Sequence, residues 1–122
     1  MVRMLYCIMR RGDVSLRDFR EYFEGEHKDL ICQAAKELNA SDFTQSLTLM
    51  VERNFTVMVR RGTEMPYDAV IEMWWENAAE LDKIMETEEA QEKASAFFSQ
   101  ASKYIDFTKS RMFFTEQPKS CS

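Results

Sequence analysis

Asp68-Ala69-Val70-Ile71-Glu72-Met73-Trp74-Trp75-Glu76 is a run of β-branched, aromatic and other apolar residues with acidic ends, and it reads as a β-strand. Side chains alternate along a strand, so Ile71, Met73 and Trp75 share one face while Val70, Glu72 and Trp74 share the other. An antiparallel sheet with one solvated side shows a polar face, yet here both faces carry large apolar groups. Both sides of the sheet must therefore be covered. Helices of the same chain account for one side. The economical cover for the other is a second copy of the sheet packed across a two-fold axis, which predicts a homodimer joined through sheet faces.

Val2 to Met9 carries a second strand pattern, closed by turn chemistry at Arg10-Arg11-Gly12-Asp13. Ser15 followed by Asp18 resembles a capping box with Asp in place of Glu, so a helix is predicted to begin at Leu16. Leu16, Phe19, Phe23, His27, Leu30, Ala34 and Leu38 recur at steps of three and four, and Arg17, Glu21, Glu24, Lys28 and Lys36 fall on the other side. This amphipathic helix stops at Asn39-Ala40-Ser41-Asp42. Gly25 lies inside it, where Gly costs about 1 kcal/mol relative to Ala, and marks a kink or a close backbone approach.

From Phe43 to Val59 the composition favours extended structure, with Phe43, Gln45, Leu47, Leu49 and Val51 alternating against Thr44, Ser46, Thr48, Met50 and Glu52. A long or broken strand is expected there, then a loop from Arg60 to Pro66, with Asn54 to Pro66 forming an extended hairpin or flap. Asn77 with Glu80, and Thr87 with Glu88 and Glu89, open two further helices. In the second, Ala90, Ala94, Phe97, Ala101 and Ile105 repeat at helical spacing. Arg111 to Glu116 is a last strand. The resulting order is the split β-α-β-β-α-β unit, a ferredoxin-like α+β fold with a four-stranded antiparallel sheet. One domain over 1–116 and a polar tail over 117–122 are expected.

A chain of 122 residues, 45% apolar and 30% charged, is long enough for a single core. Its 21 acidic against 16 basic residues give a net charge of −5, the wrong sign for tracking phosphates, so nucleic acid is not an expected partner. Met4 to Met9 is far shorter than a membrane span or a signal-peptide core, which points to a cytoplasmic protein without a membrane partner. Cysteines at 7, 32 and 121 fit no metal or disulfide spacing and read as reduced, mostly buried thiols. One histidine argues against a metal site. Three glycines in no phosphate-cradling pattern argue against nucleotide binding, so any chemistry is expected to need no cofactor.

Met4-Leu5-Tyr6 feeding into Arg10-Arg11, then Leu16-x-x-Phe19-x-x-Tyr22-Phe23-x-x-x-His27-Lys28-Asp29-Leu30, resembles the opening of EthD-like proteins, whose first helix carries an aromatic pair and a lone His. Tyr67-Asp68-Ala69-Val70-Ile71-Glu72-Met73-Trp74 is similar to their third strand. The resemblance implies a homodimeric α+β barrel with a pocket between helices and sheet in each subunit. Relatives include lactone isomerases, polyketide cyclases or decarboxylases and cofactor-free oxygenases.

His27, the only imidazole, falls on the apolar stripe between Phe23 and Leu30 and should face the sheet. Two roles fit: a core His satisfied by a backbone carbonyl, or a general acid or base beside a cavity. Tyr6, Phe23, Met73 and Trp75 are candidates for lining a pocket for a small hydrophobic molecule, although aromatic residues in such places also build cores. Glu72 is expected to pair with a cation across the sheet or dimer interface. Arg53, Arg60 and Arg61 read as a solvated loop face able to grip an anion. The leading reading is a cofactor-independent enzyme acting by proton transfer at His27 on an aromatic, lactone or polyketide-like metabolite. The alternatives are a non-catalytic metabolite-binding or accessory protein, and a cofactor-free or haem-linked oxygenase.

Overall fold

The computed structural model describes residues 1–50 and 52–116; Val51 and the tail expected over 117–122, with Cys121, lie outside the described residues. In chain order the elements are β1 (Val2–Ile8), α1 (Leu16–Glu24), α2 (Glu26–Glu37), β2 (Asp42–Leu47), α3 (Glu52–Arg61), β3 (Ala69–Trp75), α4 (Ala78–Met85), α5 (Glu88–Ala101) and β4 (Arg111–Glu116). The strands form one four-stranded sheet in the order β2-β3-β1-β4, and each neighbouring pair is antiparallel. This is the expected α+β architecture, with one added helix between β2 and β3.

Alternation sorts the sheet as its sequence demands. Met4, Tyr6 and Ile8 of β1 and Ala69, Ile71, Met73 and Trp75 of β3 are buried under the helices, against Phe19, Phe23, Ile31, Leu81 and Ala101. Burying side chains of this size contributes roughly 1.5–3 kcal/mol each. Trp75, the largest fully buried side chain, also donates its indole N–H to the Leu38 carbonyl at 2.9 Å. The opposite face, carrying Leu5, Cys7, Val70, Glu72 and Trp74, is only partly covered within one chain. Glu72 stands there opposite Leu5 and Thr44, and it forms no ion pair among the described residues.

The caps explain where the helices begin. The Ser15 hydroxyl accepts from the Asp18 amide, Asn77 from Glu80 and Thr87 from Ala90. The single long helix expected from Leu16 is two. Gly25 interrupts it at φ −105° and ψ −96°, and a Cβ there would stand 3.1 Å from the Glu21 carbonyl. The close-approach reading of Gly25 is thus realised as a break, which lets α2 leave at a new angle. Asn39, at φ 55°, closes α2: Ala40 donates to the Ala35 carbonyl and Asn39 to that of Lys36.

The expected extended run to Val59 is corrected. β2 ends at Leu47, and Glu52–Arg61 is helical. Phe55, Met58 and Val59 lie three and four apart, Glu52 sits at the N-terminal turn and Arg60 and Arg61 at the C-terminal one, a charge placement that suits the helix dipole. Gly62, at φ 66°, completes the stop: its amide donates to Val59 and that of Thr63 to Met58, so Arg60-Arg61-Gly62 is a helix terminus instead of a loop. The extended hairpin expected from Asn54 to Pro66 is therefore absent. None of α3 is buried.

Cys7 and Cys32 are free thiols, but both are partly exposed and not buried as expected. No helix among the described residues is long and apolar enough to cross a membrane.

Candidate functional site

Register places four inner-face residues in one row across the sheet: Gln45 on β2, Ile71 on β3, Tyr6 on β1 and Met112 on β4. Two strand spacings separate Gln45 from Tyr6, about 10 Å at the backbone. Ile71 between them is fully buried. The helical layer closes over this row, and the break at Gly25 sets His27 in the first turn of α2 facing it.

His27 has no exposed surface. Its ring stacks on Phe23 at 5.0 Å between centroids with planes 18° apart, meets Tyr22 edge-on at 5.3 Å, and tilts against Phe97 at 5.5 Å. Neither imidazole nitrogen has a hydrogen-bond partner. Burial pulls its pKa down to about 4, and the nearby Gln45 amide, which favours the protonated ring, offsets only part of that shift. The two side chains are close without completing a hydrogen bond, since Gln45 Oε1 is also buried and unpartnered. At neutral pH the ring is therefore uncharged, with one N–H and one lone pair both free.

Tyr6 repeats the pattern. Its hydroxyl is buried without a partner, and desolvation pushes its pKa up to about 12, so it stays a neutral phenol. Tyr22 differs: its hydroxyl donates to Gln100 Oε1 at 2.8 Å and its ring stacks on Tyr104 at 3.9 Å. Desolvation raises its pKa too, with Glu26 adding to the effect.

Two cavities flank the layer. One, of about 430 Å³, is lined by Phe23, Glu24, Lys28, Gln45 and Leu47; the other, of about 310 Å³, by Tyr6, Phe98, Phe107, Ser110 and Met112. His27 lines neither, but Phe23, on which it stacks, and Gln45 beside it both line the first. Of the residues singled out from sequence, the structure brings Phe23 and His27 into contact and sets Tyr6 on the neighbouring cavity wall. Met73 and Trp75 sit further along the strand in the packed core and line neither of these cavities. Arg53, Arg60 and Arg61 are exposed on α3. Gln45, Tyr22 and Phe97 were not singled out, yet the signal for Gln45 was legible: a polar residue on the apolar face shared with Phe43 and Leu47. No group of three or more His, Cys, Asp or Glu among the described residues is arranged to hold a metal ion.

Comparison with known proteins agrees with this architecture. The family model described as EthD domain matches residues 11–108. No curated protein matches the sequence. An ethyl tert-butyl ether D (EthD) family protein from Bacillus halodurans superposes with a TM-score of 0.61 at 14% identity, covering 97% of this chain and 99% of that one. HapK from Hahella chejuensis gives 0.58 at 14% identity over 100% and 97%. A dimeric protein of unknown function and ferredoxin-like fold from Bacteroides fragilis gives 0.62 at 9% identity over 95% of each. At these identities the likeness is one of fold.

Proposed function

The chain belongs to the EthD family, and from that premise and the geometry above we propose that the layer between helices and sheet takes up a small hydrophobic molecule and moves a proton on it through His27. The observation that carries this reading is the set of buried, unpartnered polar atoms on Tyr6, His27 and Gln45, which come from three different elements into an otherwise apolar interior. Buried polar groups in proteins are nearly always satisfied, and leaving one unpaired costs about 1–3 kcal/mol. A bound molecule with one or two polar atoms, or water that it displaces, would supply the missing partners.

A neutral imidazole can take a proton at one nitrogen and return one from the other, which suits isomerisation, cyclisation or decarboxylation of an aromatic, lactone or polyketide-like compound. Tyr22, Phe23 and Phe97, whose rings pack on His27, would supply apolar walls. Such chemistry needs no group beyond side chains. Because His27 has no exposed surface, the rings packed on it, Tyr22, Phe23 and Phe97, must move before a ligand reaches it.

The partly covered sheet face carrying Leu5, Cys7, Val70 and Trp74 supports a homodimer packed through it, in line with a structural relative that is dimeric. A second reading, that the layer binds a metabolite without transforming it, is favoured by one observation: His27 lines neither cavity.

The test is a panel of aryl lactones and 1,3-dicarbonyl compounds incubated in deuterated water. Deuterium uptake or turnover by the wild type, falling roughly 10²–10⁴-fold in His27→Gln with fold retained, is the expected result. An undiminished rate in that variant would remove His27 from the chemistry. Binding without exchange would favour the second reading.

A further inference from the structure

The cleft between β4 and α5 shares Tyr6 with the unpartnered groups invoked above, but its other walls play no part in proton chemistry at His27. Its walls are aromatic and unusually open to solvent: Phe98 is 39% exposed, Phe107 37% and Met112 43%. Phe98 and Phe107 meet edge to face at 5.4 Å and 84°, so they form two sides of a corner. The remaining lining residues are Ser110 and Tyr6. Ser110 is already committed, since its hydroxyl accepts the Met9 amide at 2.9 Å and donates to the Asp106 carbonyl at 2.8 Å. That leaves the Tyr6 hydroxyl, on a side chain 3% exposed, as the one unsatisfied polar group on the lining.

We propose that this cleft is a binding site for a neutral, planar molecule of one or two fused rings that carries a single hydrogen-bonding oxygen for Tyr6. Three features set that class. About 310 Å³ lies at the small end of ligand cavities. No Lys, Arg, Asp or Glu lines the cleft, so nothing there rewards a charge. An aromatic corner favours a ring packed against it, because offset and edge-on contacts stabilise such pairs beyond the area they bury. The cleft shares no lining residue with the cavity beside Phe23, and apart from Tyr6 none of its walls belongs to the groups invoked for His27, so binding here is read separately from turnover.

The experiment titrates 2-naphthol and naphthalene into the full chain, followed by amide and methyl chemical shifts. Saturable shifts centred on Phe98, Phe107 and Met112 are expected. Tyr6→Phe should weaken 2-naphthol about 3–10-fold, the effect of one lost hydrogen bond, and leave naphthalene unchanged, which also shows the variant is intact. Met112→Trp, at an exposed position, should weaken both by filling the cleft. The proposal is overturned by shifts centred on Phe23, Lys28 and Leu47, by no saturable binding, or by a Tyr6→Phe variant that treats the two probes alike.

Discussion

Tyr6 and Gln45 lie in one register row of the sheet on either side of Ile71, and each holds a buried polar atom without a hydrogen-bond partner. Trp75, on the same inner face, satisfies its N–H on the Leu38 carbonyl. The core can therefore pair a polar group where packing alone is at stake, whereas Tyr6 and Gln45 in this row and His27 in the helical layer keep unpaired polar atoms. Each costs about 1–3 kcal/mol that an apolar residue would avoid.

Gln45→Leu should accordingly stabilise the protein, by about 1 kcal/mol, while weakening any ligand held beside His27. Urea unfolding measures the first effect and titration of the ligand the second. A destabilised variant would mean that Gln45 has a structural partner.

His27 sets a pH dependence. Its folded pKa of about 4 lies below the ordinary value of 6.5, so the unfolded chain binds the proton more readily. The stability from keeping the ring neutral is complete above about pH 6.5 and is lost as pH falls toward 4, on the order of 3 kcal/mol in all. The only histidine gives a single imidazole signal by NMR, and its midpoint should fall near 4. A midpoint near 6.5 would refute the buried environment, and His27→Gln should flatten this part of the stability profile.

Trp75→Phe removes the largest fully buried side chain's N–H and part of its volume. A loss of roughly 2–4 kcal/mol is expected from the cavity and the orphaned Leu38 carbonyl together. Binding of ligands at either cavity should be unchanged, because Trp75 lines neither; altered affinity would return Trp75 to the site.

Helix α3 buries none of its residues and leaves Phe55, Val57 and Val59 exposed. Its amides should exchange with solvent orders of magnitude faster than those of β1 and β3. Protection equal to that of the central strands would mean that something covers the helix in solution.

Scattering at micromolar concentration should give the mass of two chains, and Trp74→Glu on the partly covered face should shift it toward one. A single-chain mass for the wild type would leave that face without its proposed cover.

Local chemistry determined much of this protein from the sequence alone. Caps at Ser15, Asn77 and Thr87 and the alternation in β1 and β3 depend only on near neighbours and a two- or three-residue period. The inward direction of His27 followed from the same helical spacing. Glu52 to Arg61 has the Val, Thr and Phe composition of a strand, yet the spacing of Phe55, Met58 and Val59 and the stop at Gly62 are those of a helix, and the helix is what forms. Only the tertiary structure decided that Gln45 and Tyr6 share one row of the sheet and that Gln45 lies beside His27, since strand register and helix packing bring together residues far apart in sequence. It also decided that their polar atoms lack partners, because whether a buried group is paired depends on everything packed around it and on nothing in its own segment.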